Sequence, residues 1–228
     1  MGDSKITNYI NVHYDEFTNW LVGNNWGGVD VKILPFLSHI DNGFFVEAGA
    51  HDGIFQSNTK ILEELGWEGL LIEPSNNLYL KCKENRNCDC ENYALVSTNY
   101  KNKTIKSSNS RGKNYDKNFI ITMGDDKVDE FPTITLDNLL KKYKRNKIDF
   151  FSLDVEGYEF EVLNGIDFGK IDISYFLIEV NTDDYSLLEM DNFMKLKGYE
   201  NICNLSNFTK ENCNTWPGNH NDYLYKKT

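Results

Sequence analysis

Four apolar runs in this chain stop at a carboxylate. Gly43-Phe44-Phe45-Val46-Glu47 opens into the turn Ala48-Gly49-Ala50-His51-Asp52-Gly53, and Leu70-Leu71-Ile72-Glu73-Pro74 follows it. Ile148-Asp149-Phe150-Phe151-Ser152-Leu153-Asp154 and Tyr175-Phe176-Leu177-Ile178-Glu179 repeat the pattern further on. Short apolar runs without alternation read as strands covered on both faces, as in a parallel sheet. Open parallel sheets bind ligands beyond the carboxyl ends of their strands. Acids at that edge therefore describe the ligand: Glu47 and Asp52 suit a cation or amine near the first turn, and Glu73 suits the paired hydroxyls of a ribose. A nucleoside carrying positive charge satisfies both, and S-adenosylmethionine is the common one. A nicotinamide dinucleotide would need G-x-G-x-x-G, so that backbone can approach its pyrophosphate. The spacing here is Gly49-x-x-x-Gly53 with acids before and inside it. If partly desolvated, those charges would repel a pyrophosphate by several kcal/mol, on the order of the Coulomb energy at intermediate dielectric.

The later strand ends define an acceptor side. Asp154, Glu156 and Glu179 fall where a transferred group would lie, and each is a candidate catalytic acid or base. Asp154 also borders the cofactor, and His51 in the first turn is a weaker candidate base. Asp154, Glu179 and Asn181, with Asp183 beside them, offer oxygen ligands from adjacent strand ends, a set that suits Mg²⁺. Blander readings exist for each. Asp154 could cap the following helix, and Glu156 could favour a helix N-terminus through the macrodipole. Glu159 and Glu161 read as surface residues or partners for lysines.

The elements that must position these groups alternate. Strands are expected over Phe44–Glu47, Leu70–Glu73, Asp89–Asn92, Ile148–Asp154 and Tyr175–Glu179. Helices are expected over Ser57–Leu65, stopped by Gly66, then Asn76–Glu84, Leu136–Tyr143 after Thr135, a stretch through Phe160, Val162 and Leu163 stopped by Gly165, and Leu187–Lys197 stopped by Gly198. The end of the chain, Asn201–Leu205 and Asp222–Tyr225, reads as two antiparallel strands. Such alternation predicts a doubly wound α/β sheet. Residues 1–40 form a leader whose Tyr9, Tyr14, Phe17, Trp20 and Trp26 pack helices onto a domain spanning 41–228. Residues 97–131 are polar and run to Pro132. They break the rhythm as an irregular insertion or lid.

Bulk properties narrow the partners. The chain has 228 residues, 40% hydrophobic and 14% aromatic, which suits one globular domain with one large core. A net charge of −11 disfavours gripping nucleic acid phosphates. No apolar run approaches the ~20 residues of a membrane span, and the polar start Met1-Gly2-Asp3-Ser4-Lys5 lacks a signal core. The five cysteines, Cys82, Cys88, Cys90, Cys203 and Cys213, have no zinc-finger spacing and read as reduced thiols. A cytoplasmic protein with a small-molecule or glycan acceptor is expected, without nucleic acid or membrane partners. Self-association is compatible with this reading.

Gly43 through Thr59 (G-F-F-V-E-A-G-A-H-D-G-I-F-Q-S-N-T), then Gly66-Trp67-Glu68-Gly69 leading to Ile72-Glu73-Pro74, resemble the FkbM family of S-adenosylmethionine-dependent O-methyltransferases. The likeness continues through Asn92-Tyr93-Ala94-Leu95-Val96-Ser97 and Thr133–Leu140. It is most specific in Ile148–Gly165, with its Asp154-Val155-Glu156-Gly157-Tyr158-Glu159 block. It implies a class I methyltransferase fold, a mostly parallel seven-stranded sheet with an antiparallel last strand. It implies that Glu47, Gly49 and Asp52 line the methionine end of the cofactor and that Glu73 bonds the ribose. His51, Ser57, Asn58, Thr59, Pro74, Asn92 and Ala94 lie in the matching segments and join the expected cofactor set. The family's preference implies a hydroxyl of a sugar, nucleotide sugar or glycan as acceptor. The alternative is a subunit that keeps the cofactor pocket without the chemistry.

Overall fold

A computed structural model describes residues 4–13, 28–108, 119–121, 130–211 and 218–228. Among the described residues, the helices α1 (Lys5–Val12) and α2 (Val29–Lys32) and the turn-like α3 (Leu34–Leu37) precede the sheet. The alternating part runs β1 (Phe44–Ala48), α4 (Lys60–Glu64), β2 (Glu68–Ile72), α5 (Asn76–Asn85), β3 (Asp89–Glu91) and β4 (Ala94–Leu95). Then come β5 (Thr104–Ser108), β6 (Phe119–Ile121), β7 (Glu130–Ile134), α6 (Leu136–Lys142), β8 (Lys147–Leu153) and α7 (Glu159–Leu163). The chain closes with β9 (Asp172–Asn181), α8 (Leu187–Leu196), β10 (Tyr199–Asn204) and β11 (His220–Lys227).

The main sheet has seven strands in the order β10-β11-β9-β8-β1-β2-β3. Strand β1 pairs in parallel with both β2 and β8, and β8 in parallel with β9. Strand β11 is antiparallel to both of its neighbours, β9 and β10. This is the class I methyltransferase topology that the resemblance implied. The strand order reverses between β1 and β8, and that reversal opens the crevice in which doubly wound sheets bind ligands.

Consecutive side chains of each central strand serve opposite faces, which explains the unbroken apolar runs. Phe44, Val46, Ala48, Leu70, Ile72, Phe151 and Leu153 pack with Leu136, Leu139 and Leu140 of α6, Val162 and Leu163 of α7, and Met190 and Met194 of α8. Phe45, Leu71, Phe150, Tyr175 and Leu177 pack with Ile6 of α1, Val31 of α2, Leu34 and Leu37 of α3, Ile61 and Leu62 of α4, and Cys82 of α5. Helix ends follow their capping residues. Thr135 accepts from Asn138 N at the start of α6, and Ser186 with Glu189 forms a capping box on α8. Gly66 and Gly198 follow α4 and α8 with φ of 90° and 86°, the left-handed geometry that ends a helix.

Several boundaries differ from expectation. Strand β9 runs past Glu179 to Asn181, so Glu179 sits within the strand, level with Asp222 on β11. Helix α4 is shorter than expected, because residues 57–59 are held in a turn by Glu47 instead of starting the helix. The expected irregular insertion contributes strands: β4, β7, β5 and β6 form a second, four-stranded sheet. Ile105 and Phe131 are its buried anchors, and polar neighbours such as Lys106 and Glu130 face out, so the segment reads as a polar loop. Pro132 does not end β7. It pairs only with Thr104, because the β4 ladder begins at Thr133, and its missing N–H leaves no gap on the β4 side. Of the leader aromatics, Tyr9 packs at the edge of the core, while Tyr14, Phe17, Trp20 and Trp26 lie outside the described residues. Among the described residues no helix is long and apolar enough to cross a membrane, and Cys82, Cys88, Cys90 and Cys203 are free thiols.

Phe151 has no solvent exposure and packs at 5.4 Å, ring centre to ring centre, on Phe176 of the neighbouring strand. Phe151→Ala should lower the unfolding free energy by about 3–5 kcal/mol, the usual range for truncating a buried aromatic. Denaturant titration followed by circular dichroism measures it.

Candidate functional site

A cleft of about 870 Å³, counting its mouth to solvent, opens at the carboxyl edge beside the β1–β8 reversal. Glu47, Gly49, His51, Ser57, Glu73, Pro74, Ala94, Asp154 and Glu156 line it, together with Phe55, Leu78, Tyr93 and Tyr158. Nine of the residues expected from the sequence thus converge on one cavity from four separate loops.

Gly49 holds the two central loops together. Its φ is 82°, and a Cβ built there would lie 1.8 Å from the Asp154 carbonyl oxygen. No side chain fits, so the turn after β1 and the loop after β8 approach backbone to backbone. Asp154 N donates to Ala48 O at 3.2 Å and extends that junction.

Glu47 faces inward. Its carboxylate accepts from Ser57 Oγ at 2.8 Å, Asn58 N at 2.8 Å and Thr59 Oγ1 at 2.6 Å. Arg86, fully enclosed at the end of α5, approaches Glu47 at 3.6 Å and forms an ion pair with Glu63. Its guanidinium also donates to Gly53 O and Ser57 Oγ at 3.0 Å and to Thr59 Oγ1 at 3.1 Å. Asn58 and Thr59, expected from the sequence to contact the cofactor, are engaged within the protein. Thr59 is fully buried, and neither residue lines the cleft. Thr59's hydroxyl proton goes to Glu47, and the Asn58 amide donates to Ser152 Oγ at 3.1 Å. Asp52 is likewise outside the lining: its Oδ1 accepts from Ile54 N and Phe55 N and shapes the turn. Asn92 reaches back to Glu73 O and Pro74 O and orders the loop after β2 without facing the cleft.

Glu73 points into the cleft with its oxygens on backbone donors, Oε2 on His51 N at 2.9 Å and Oε1 on Ser75 N at 2.8 Å. Burial pushes its carboxyl up to about 7, against the pull of those two donors. This residue couples the turn after β1 to the end of β2. A polar carboxyl beside the apolar walls of Leu78, Tyr93 and Ala94 fits a nucleoside, its base against the walls and its ribose at the acid.

On the acceptor side, Glu159 corrects the surface reading. It is completely buried, with Oε1 accepting from Val155 N at 3.0 Å and Gly157 N at 3.1 Å, and Oε2 accepting from Tyr185 Oη at 2.8 Å. It thereby shapes the loop that presents Asp154 and Glu156, where Glu156 and Gly157 both have positive φ (57° and 96°). Asp154, Glu159 and Glu179 each bring a carboxylate oxygen within 4.8 Å of the other two. Burial, with Glu156, Asp222 and Glu159 nearby, pushes the Asp154 carboxyl well above its ordinary range. Burial, then Asp154, does the same to Glu179. Asn181 is wholly buried, and its Oδ1 accepts from Asp183 N at 3.1 Å.

Arg86, Glu159 and Tyr185 carry no sequence signal of their roles, because each acts on partners distant along the chain. Arg86→Ala would leave Glu47 and Glu63 enclosed without their cation. It should cost about 3–5 kcal/mol, the range for breaking a buried ion pair from one side. Arg86→Lys, which cannot reproduce the fork of donors, should recover only part of that in thermal melts.

No curated protein matches the chain by sequence. Among solved structures, similarity extends to a TehB-like SAM-dependent methyltransferase from Corynebacterium glutamicum, 11% identical with a TM-score of 0.48 over 98% of each chain. A SAM dependent methyltransferase from Aquifex aeolicus is 10% identical with a TM-score of 0.48, over 89% of this chain and 93% of that one. The family model described as the methyltransferase FkbM domain matches residues 47–200, from the acid of β1 to the start of β10. The chain belongs to the FkbM methyltransferase family and is an S-adenosylmethionine-dependent methyltransferase.

Proposed function

We propose that this protein methylates a hydroxyl group of a sugar, nucleotide sugar or glycan, with Asp154 as the base. S-adenosylmethionine, when bound, supplies an electrophilic methyl group at the β1–β8 junction. Glu73 holds the ribose hydroxyls, and the loop carrying Gly49 and His51 borders the methionine portion. A sugar hydroxyl is a weak nucleophile, so the protein's main tasks are to place it and to take its proton.

The observation that supports this reading is the position of Asp154. It lines the cleft, follows β8 directly, and adjoins Gly49 through its own carbonyl. Once ionised, a carboxyl pushed upward by burial is a stronger base than an exposed one. Glu156 lines the same side and Glu179 stands behind, a polar wall suited to hydroxyl-rich acceptors.

Incubation with isotopically labelled cofactor and a panel of sugars and nucleotide sugars, read by mass spectrometry, tests the acceptor class. Transfer only to amines or carboxylates would sink it. Asp154→Asn should reduce turnover by ~10²–10⁴, the usual contribution of a positioned base, with cofactor affinity preserved. Lost affinity would instead assign Asp154 to cofactor binding.

Glu73 gives a pH dependence. Its folded value, about 7, lies above the ordinary 4.5, so burial favours the neutral acid and this group's support of the empty fold is lost as pH rises toward 7. Ribose hydroxyls donate to the ionised form. Cofactor affinity should therefore strengthen between pH 6 and 8 in calorimetric titrations, and Glu73→Gln should flatten the profile.

A further inference from the structure

We propose that Asp154, Glu159 and Glu179 form a binding site for a hard divalent cation on the acceptor side of the cleft. The three carboxylates come from different elements: the loop after β8, the first residue of α7 and the interior of β9. One oxygen from each lies within 4.8 Å of the others, a spacing that a single oxygen-coordinated ion can span. All donors are carboxylate oxygens, without thiol or imidazole, which selects Mg²⁺, Mn²⁺ or Ca²⁺ over softer metals.

Glu179 supplies the second observation. Its side chain is nine-tenths buried and turned into the triplet, and its Oε2 has no hydrogen-bond partner. Among the described residues, no lysine, arginine or histidine pairs with any of the three acids. Asp222 lies level with Glu179 on the adjoining strand and adds negative charge. A buried carboxylate left without donor or counter-charge is costly. A cation removes that cost at Glu179.

Glu159 is fixed before any ion arrives. Two backbone N–H groups occupy Oε1 and the Tyr185 hydroxyl holds Oε2, which keeps a second lone pair for an ion. Tyr185 Oη also lies 2.8 Å from Glu179 O, which ties β9 to the same point. Glu159 joins Asp154 and Glu179, the acids read in the sequence, and Asn181 Oδ1 accepts from Asp183 N. The role assigned to the ion rests on the proposed acceptor class, since a cation here would hold two neighbouring oxygens of a sugar beside the methyl group. Its existence does not depend on that class.

The test uses the full chain and Tb³⁺, whose luminescence is sensitised by nearby tyrosine. Tyr185 contacts a proposed ligand directly. Excitation of tyrosine should give saturable terbium emission that Mg²⁺ or Mn²⁺ displaces. Glu179→Gln and Asp154→Asn should each weaken Tb³⁺ binding at least about tenfold, the size of a change of about 1.4 kcal/mol. Circular dichroism must show both variants folded, and Glu200→Gln, at an exposed position of β10, should leave the signal unchanged. Absent emission, or emission equally strong in both triplet variants, overturns the site. Terbium binding without any sugar methylation would leave the site standing and remove the acceptor reading; methylation without terbium binding would do the reverse.

Discussion

The cofactor loop depends on a buried charge pair. Glu47 leaves β1 pointing into the protein, where an isolated carboxylate would be very expensive. Arg86 arrives from the end of α5 with its whole guanidinium enclosed, and hydroxyls from Ser57 and Thr59 fill the remaining positions. Each group satisfies the others, so none can relax alone. The strand end, the turn at Gly53, the approach to α4 and the end of α5 are locked into one arrangement. A loop wrapped around that arrangement is shaped before the cofactor arrives, which reduces the ordering cost of binding.

The opposite half of the cleft uses the reverse logic. There, carboxylates gather without cations, and burial keeps Asp154, Glu159 and Glu179 reluctant to ionise. The two halves meet where Gly49 lies against the Asp154 carbonyl. A side whose buried charges are paired thus adjoins an electrostatically tense one. The contrast fits a division of work in which one half grips and the other reacts.

Much of the fold was legible because its signals are local. The runs at β1, β2, β8 and β9 are apolar on both faces, and Thr135, Ser186, Gly66 and Gly198 mark helix ends through backbone chemistry that involves only near neighbours. The small sheet was hidden because β5 and β7 bury only alternate residues, Ile105 and Phe131 among them, inside a lysine-rich stretch. In the site, Glu73 and Gly49 were readable from strand-end position alone. Glu159 was not, since an acid at the start of a helix is most often a surface residue, and its burial depends on Tyr185, many residues away. Asn58, Thr59 and Asn92 have the right types in the right segment. Only three-dimensional structure shows their donors directed to Glu47, Ser152, Glu73 and Pro74 rather than into the cleft.

The pairing of β4 with β7 has a consequence for how such an enzyme diversifies. Ala94 and Leu95 lie beside Thr133 and Ile134, and Val96 N donates to Ile134 O, so the excursion leaves and rejoins side by side, while Thr98 N on Asn164 O and the buried Ile105 and Phe131 seat its base on the body. Whatever is inserted beyond that base need not disturb Tyr93 or Ala94 at the cleft wall, and lengthening a closed excursion adds little entropy, about 0.6 kcal/mol per doubling. Evolution, or an engineer, can vary the excursion beyond those anchors while the cleft wall stays untouched.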